Sequence, residues 1–114
     1  MNELKELLNN YKTRSAWSKG VKSFAFDLLN NLEGRPINKG NLLNGASDWS
    51  QYSHGGCAFI CDQDIAEHLS TPSELKARKG GDWQPNKNET WLDVQTRALG
   101  QACSLILRLN RKVG

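Results

Sequence analysis

Two stretches of the chain place apolar side chains at helical spacing over several turns, and a chain carrying two such stripes has to bury them against each other. Trp17, Val21, Phe24, Ala25, Leu28, Leu29 and Leu32 form the first, which predicts a helix over 15–33. Gly34 follows as a C-terminal cap, and Pro36 stops any continuation. Trp91, Val94, Ala98, Ala102, Leu105, Ile106 and Leu109 form the second, running to about 111. Asn88 is placed to cap it. Glu89 and Asp93 lie near its positive end, and Arg108, Arg111 and Lys112 near its negative end. Each helix must pack on the other, with the central segment closing the third side. The expected fold is therefore all-α, a compact helical domain over 1–114 with shorter helices between the two long ones.

The shorter elements are read from weaker patterns. Leu4, Leu7, Leu8 and Tyr11 predict a short amphipathic helix over 2–12. Asn38, Gly40, Asn44, Gly45, Asp48, Ser50, Ser53, Gly55 and Gly56 interrupt any period across 35–56, leaving a short helix near 39–45 and a Gly/Ser/Trp-rich central loop. Cys57, Ile60, Cys61, Ile65 and Leu69 share one helical face and are read as a helix, with a strand as the alternative for 57–61. Thr71, Pro72 and Glu74 combine an N-cap, a first-turn proline and a capping-box acid, so a brief helix is expected over 72–78. A hydrophilic loop around Trp83 follows.

A chain of 114 residues buries about two thirds of the surface its unfolded form exposes, enough for one core. Its apolar run from Cys103 to Leu107, with Ser104 inside it, is far short of the roughly 20 residues that cross a bilayer. Residues Met1 to Leu8 alternate charge with leucine and lack the features of a secretory signal, so a cytoplasmic location is expected. Three cysteines cannot all pair with one another, which suits a reducing compartment. The net charge of +3 and pI near 8.9 are too mildly basic to identify a nucleic-acid partner by themselves. The layout is more informative, with bases at the two ends and acids in the middle.

His54, Cys57, Cys61 and His68 lie close together in sequence, and two thiols four residues apart would share a helical face. The paired-cysteine knuckle of structural zinc sites is missing, however, and thiols on an apolar stripe pack as small hydrophobes. A Cys–His nucleophile would need a depressed thiol pKa that no local pattern supplies. Asp62, Asp64 and Glu67 lack the glycine-turned loop of a calcium site and read as a solvated helix face. No phosphate-binding loop, dinucleotide fingerprint, nucleophile elbow or zincin helix occurs. The expectation is thus no enzyme, no metal and no cofactor. Trp49 and Tyr52, flanked by Asp48 and His54, make an aromatic loop that would either anchor a partner or fold over the core. Lys12, Arg14, Lys19 and Lys22 make a basic stretch suited to phosphate contacts. Glu74, Lys76 and Arg78 on the brief helix fit a base-reading element only loosely.

The run Leu42, Leu43, Asn44, Gly45, Ala46, Ser47, Asp48, Trp49, Ser50, Gln51, Tyr52, Ser53 resembles the motif of a family of small proteins encoded by phages and integrated mobile elements of Gram-positive bacteria. Gly55, Gly56, Cys57, then Asp64, Ile65, Ala66, Glu67, Leu69, then Pro72, Ser73, Glu74, Leu75, and finally Trp91, Leu92, Asp93, Val94, Gln95 match its later blocks. The resemblance spans about 14–110. The family has no assigned activity, catalytic residue or cofactor to carry across, and Cys61 and His68 stand where it has an aromatic residue or Arg. The resemblance implies a module that occupies the surface of a host protein, such as a defence or nucleic-acid-processing complex; an anti-CRISPR-like inhibitor is one concrete form. The expected contact surface is the loop 47–56 (Asp48, Trp49, Tyr52, His54) with either Asp62, Asp64 and Glu67, which would mimic phosphates, or the basic stretch. The alternative is a nucleic-acid-binding accessory protein using Lys12, Arg14, Lys19 and Lys22. Monomer and homodimer both stay open, and an uncovered apolar stripe would favour the dimer.

Overall fold

The computed structural model describes residues 2–32, 34–53, 60–69, 83, 85 and 88–113, without the side chains of Tyr52 and Ser53. These residues form α1 (Asn2–Asn10), α2 (Ala16–Asn31), α3 (Lys39–Ser53), α4 (Asp62–Ala66) and α5 (Trp91–Asn110), and no strand. The expected all-α class is the observed one, and the radius of gyration of 13.4 Å matches the ~13 Å of a compact chain of about this length. Among the described residues no helix is long and apolar enough to cross a membrane.

α5 is the centre of the fold, touching α1, α2, α3 and α4. Its burial exceeds the predicted stripe: Thr96, Leu99, Gly100, Gln101 and Cys103 are enclosed as well as Val94, Ala98, Ala102, Leu105, Ile106 and Leu109. Trp91 departs from expectation in the other direction, being 57% exposed. At the first residue of α5 the stripe has run past the neighbours that cover Val94 and Ala98. The cap is Thr90 rather than the predicted Asn88. Thr90 Oγ1 accepts from the Asp93 amide at 3.2 Å while Asp93 Oδ2 accepts from the Thr90 amide at 2.8 Å, a complete capping box. Thr90→Ala is expected to cost about 1 kcal/mol, read as a lower urea midpoint at unchanged slope.

α2 opens with a second reciprocal box, in which Ser15 Oγ accepts from the Ser18 amide at 3.0 Å and Ser18 Oγ from the Ser15 amide at 3.1 Å. It closes before Gly34, whose φ of +81° is the left-handed geometry read from the sequence. Arg35 Nη2 donates to the Asn31 carbonyl at 2.9 Å, satisfying one of the helix's last acceptors. α1 has no basic residue in its last turn. Lys22 of α2 supplies the charge instead, its Nζ donating to the carbonyls of Asn9 at 2.9 Å and Tyr11 at 2.8 Å.

Two of the shorter elements correct the sequence reading. The helix expected near 39–45 continues to Ser53, so the predicted central loop is helical as far as that residue. Asn38 caps it, its Oδ1 accepting from the Asn41 amide at 2.8 Å. Leu42, Ala46 and Ser50 are fully buried, and buried Gly45 lies against Leu32 with its carbonyl accepting from Asn31 Nδ2 at 3.3 Å. Burial of this face outweighs the poor helix propensity of Asn, Gly and Ser. The helix read through Cys57, Ile60, Cys61, Ile65 and Leu69 begins instead at Asp62. The Ile60 amide is held by Ser50 Oγ at 2.9 Å, and Cys61 is extended with ψ 144°. Ile60 and Ile65 are buried as predicted, but Cys61 is exposed and is not a core residue. Residues 57–59 and the predicted helix 72–78 lie outside the described residues.

Candidate functional site

α4 packs against α3, and these two helices carry the acids singled out in the sequence. Ser50 ties the pair: its Oγ donates to the Ser47 carbonyl at 2.7 Å and accepts from the Ile60 amide. This fixes where α4 starts relative to the last turns of α3. Asp48 on α3, Asp62 and Asp64 on α4 and Glu67 at its end are all exposed, and none makes an ion pair among the described residues. The core-facing side of the same pair is apolar, through Ala46 and Ile65. The two packed helices thus carry four exposed carboxylates over an apolar core side, none of them ion-paired among the described residues.

The aromatic part of the predicted surface is placed differently. Trp49 is on a helix, half-buried, with its ring centroid 4.8 Å from that of Phe24 on α2. It packs over the core rather than standing out as an anchor. Tyr52 falls in the last turn of α3, but its side chain lies outside the described residues, as does all of His54.

Among the bases of the alternative interface, Lys12 and Arg14 are exposed in the link between α1 and α2, and Lys19 is exposed on α2. Lys22 is engaged with the end of α1. A phosphate would have to compete with two backbone carbonyls for its ammonium group.

The thiols also separate. Cys61 is exposed. Cys103 is enclosed in α5 with Sγ 3.7 Å from the Leu42 carbonyl, and burial pushes its thiol from an ordinary 9.0 up to about 12. A thiol is the weaker nucleophile when its thiolate is suppressed, so alkylation mapped by mass spectrometry should mark Cys61 in the native protein and Cys103 only on unfolding. The same shift gives a pH dependence. Between 9.0 and about 12 the unfolded chain releases a proton that the folded chain keeps, so stability falls as pH rises through that window. Cys103→Val should flatten the fall, measured by thermal melts at pH 8 and pH 11. His68 is exposed, and among the described residues no group of three or more His, Cys, Asp or Glu is placed to hold a metal ion. Cys57 and His54, the other members of the sequence cluster, lie outside those residues.

A further set of contacts escaped the sequence reading. Trp83 lays its ring on α2, with centroids 4.4 Å from Trp17 and 5.8 Å from Phe24, and its Nε1 donates to the Ala16 carbonyl at 3.1 Å. A Cβ at Gly20 would run into that ring. Trp17 is fully buried beneath; its Nε1 donates to Gln101 Oε1 at 2.7 Å, and the Arg97 guanidinium lies 5.9 Å from its ring centre. The available signal was Gly20 itself, between Trp17 and Phe24 at helical spacing, where a missing side chain marks a close approach. Compared with protein-family models, with curated proteins and with solved structures, the chain matches none.

Proposed function

We propose that the protein is a non-enzymatic protein-binding module whose contact surface is the acidic face of α3 and α4. The observation that carries this reading is the exposure of Asp48, Asp62, Asp64 and Glu67 on two packed helices, with no ion pair to any of them among the described residues. Such a surface suits a basic groove of the kind that holds a nucleic-acid backbone, where fixed carboxylates take the place of phosphates and complementary charge sets partner choice and association rate. The resemblance to phage and mobile-element proteins supports an anti-defence role, with a host nucleic-acid-processing complex as the target. The engagement of Lys22 by α1 favours this reading over direct nucleic-acid binding, since it leaves three of the four predicted bases for phosphates.

The test is capture from a bacterial host lysate by the purified protein, with and without nuclease, followed by mass spectrometry. A stoichiometric protein is expected to survive nuclease and to be lost with the variant Asp48→Lys, Asp62→Lys, Asp64→Lys, Glu67→Lys. The affinity for that partner should fall at least about tenfold, or 1.4 kcal/mol. Captured protein that binds the variant equally well would remove this face from the interface, and loss of all captured material after nuclease would replace the reading with nucleic-acid binding.

A further inference from the structure

The carboxylates of α4 owe their placement to contacts outside α4. The helix has five residues, where an isolated helix is marginal in water even at roughly 12–15. Its N-cap, Cys61, makes no side-chain cap bond. Contacts with other elements hold it at its start, middle and end. At the start, the buried Ile60 amide donates to Ser50 Oγ at 2.9 Å, and Ser50, fully enclosed in α3, donates in turn to the Ser47 carbonyl at 2.7 Å. In the middle, Ile65 is fully buried in the core. At the end, the backbone of His68 lies against α5 at buried Gly100, where a Cβ would stand 2.7 Å from His68 Cβ and 2.8 Å from its carbonyl carbon and oxygen. Ser50 therefore joins the segment to α3, which carries Asp48, and Gly100 lets it seat on α5.

We infer that Ser50 and Gly100 are positioning residues for the acidic contact surface, an inference that rests on the reading of that surface given above. They hold segment 60–69 in one pose against α3 and α5, so that Asp62, Asp64 and Glu67 meet a cationic partner already placed relative to Asp48. Both residues are buried, so their effect on binding passes through the segment they hold and not through contact with the partner. A partner that meets carboxylates already in place spends no binding free energy on ordering them. Removing the Ser50 hydroxyl leaves the buried Ile60 amide without that acceptor, and adding a methyl group at Gly100 displaces the His68 backbone. Either change loosens the segment while every carboxylate stays in the chain.

The test uses a helical alanine-based peptide with arginine at regular positions, which presents its cations at fixed spacing and so senses where the carboxylates stand. Binding is read by fluorescence anisotropy at low salt, and amide exchange is followed in the same proteins. Ser50→Ala and Gly100→Ala should each bind the peptide at least about threefold more weakly than the wild type, with faster exchange over 60–69. Leu8→Ala is the control: it lowers stability from α1, which packs on α2 and α5, and should keep the wild-type affinity. Wild-type affinity in Ser50→Ala and Gly100→Ala, or an equal loss in Leu8→Ala, would overturn the inference while leaving the acidic surface as the contact. Failure of the wild type to bind, or equal binding by the variant with lysine at Asp48, Asp62, Asp64 and Glu67, would overturn the reading of the surface itself. If Gly100→Ala does not fold, Ser50→Ala, which only removes an oxygen, decides alone.

Discussion

Replacing Trp17 by alanine is expected to remove about 4 kcal/mol of stability, a large part of the 5–15 kcal/mol that a domain has in total. The indole is fully buried at the junction of α2 and α5. It fills volume that no described neighbour can reclaim without moving one helix against the other, so the loss combines apolar transfer with a cavity. Its Nε1 also satisfies Gln101 Oε1, and Gln101 is only 4% exposed. Trp17→Phe separates the two effects: most of the ring remains, the Gln101 acceptor is left bare, and about 2 kcal/mol should be lost. Adding Gln101→Leu to Trp17→Phe should recover much of that, because removing both members of a buried pair costs less than orphaning one. Guanidinium unfolding of the four proteins in this cycle gives the coupling directly. Additive losses would mean that the hydrogen bond contributes nothing of its own.

The second large effect is expected at Gly100. An alanine in the middle of a helix ordinarily stabilises it by about 1 kcal/mol relative to glycine. Here the added Cβ would lie 2.7 Å from the Cβ of His68 and 2.8 Å from its backbone carbon and oxygen. Backbone cannot rotate aside as a side-chain tip can, so the segment that carries α4 has to lift from α5. Gly100→Ala should therefore lower stability by about 2 kcal/mol, with faster amide exchange over 62–68. Gly40→Ala is the control. Its Cβ would meet only the Asn38 side chain, at 3.5 Å, and the same substitution there should be neutral or mildly stabilising. If Gly100→Ala behaves like Gly40→Ala, the close approach of His68 to α5 does not persist in solution.

Legibility from sequence followed the strength of the apolar period. α2 and α5 were readable because their stripes consist of large side chains whose burial dominates any local preference. α3 was readable only in part because its buried face is made of Leu42, Gly45, Ala46 and Ser50, and small or polar residues carry no hydropathy signal even when enclosed. The start of α4 was misplaced because a side chain ten positions earlier captures the Ile60 amide, a choice invisible to any local window. For the same reason Cys61 moved from the core to the surface. Of the candidate surface, the exposure of Asp48, Asp62, Asp64 and Glu67 could be read from their charge. That α3 and α4 pack together could not, since it depends on long-range packing. Trp49 and Lys22 looked available for a partner, and both are drawn into internal contacts by neighbours distant in sequence.

The bond from Lys22 to the end of α1 also bears on the order of assembly. A helix of nine residues is too short to persist alone in water, where roughly 12–15 residues are marginal. The cation that bonds the carbonyls of Asn9 and Tyr11 at its end belongs to α2, and Leu4 and Leu8 are buried where α1 packs on α2 and α5. α1 is therefore expected to dock after the rate-limiting step, so that Leu8→Ala should speed unfolding in a denaturant chevron and leave the folding limb nearly unchanged. On that expectation α1 governs how long the native state lasts more than how quickly it is reached.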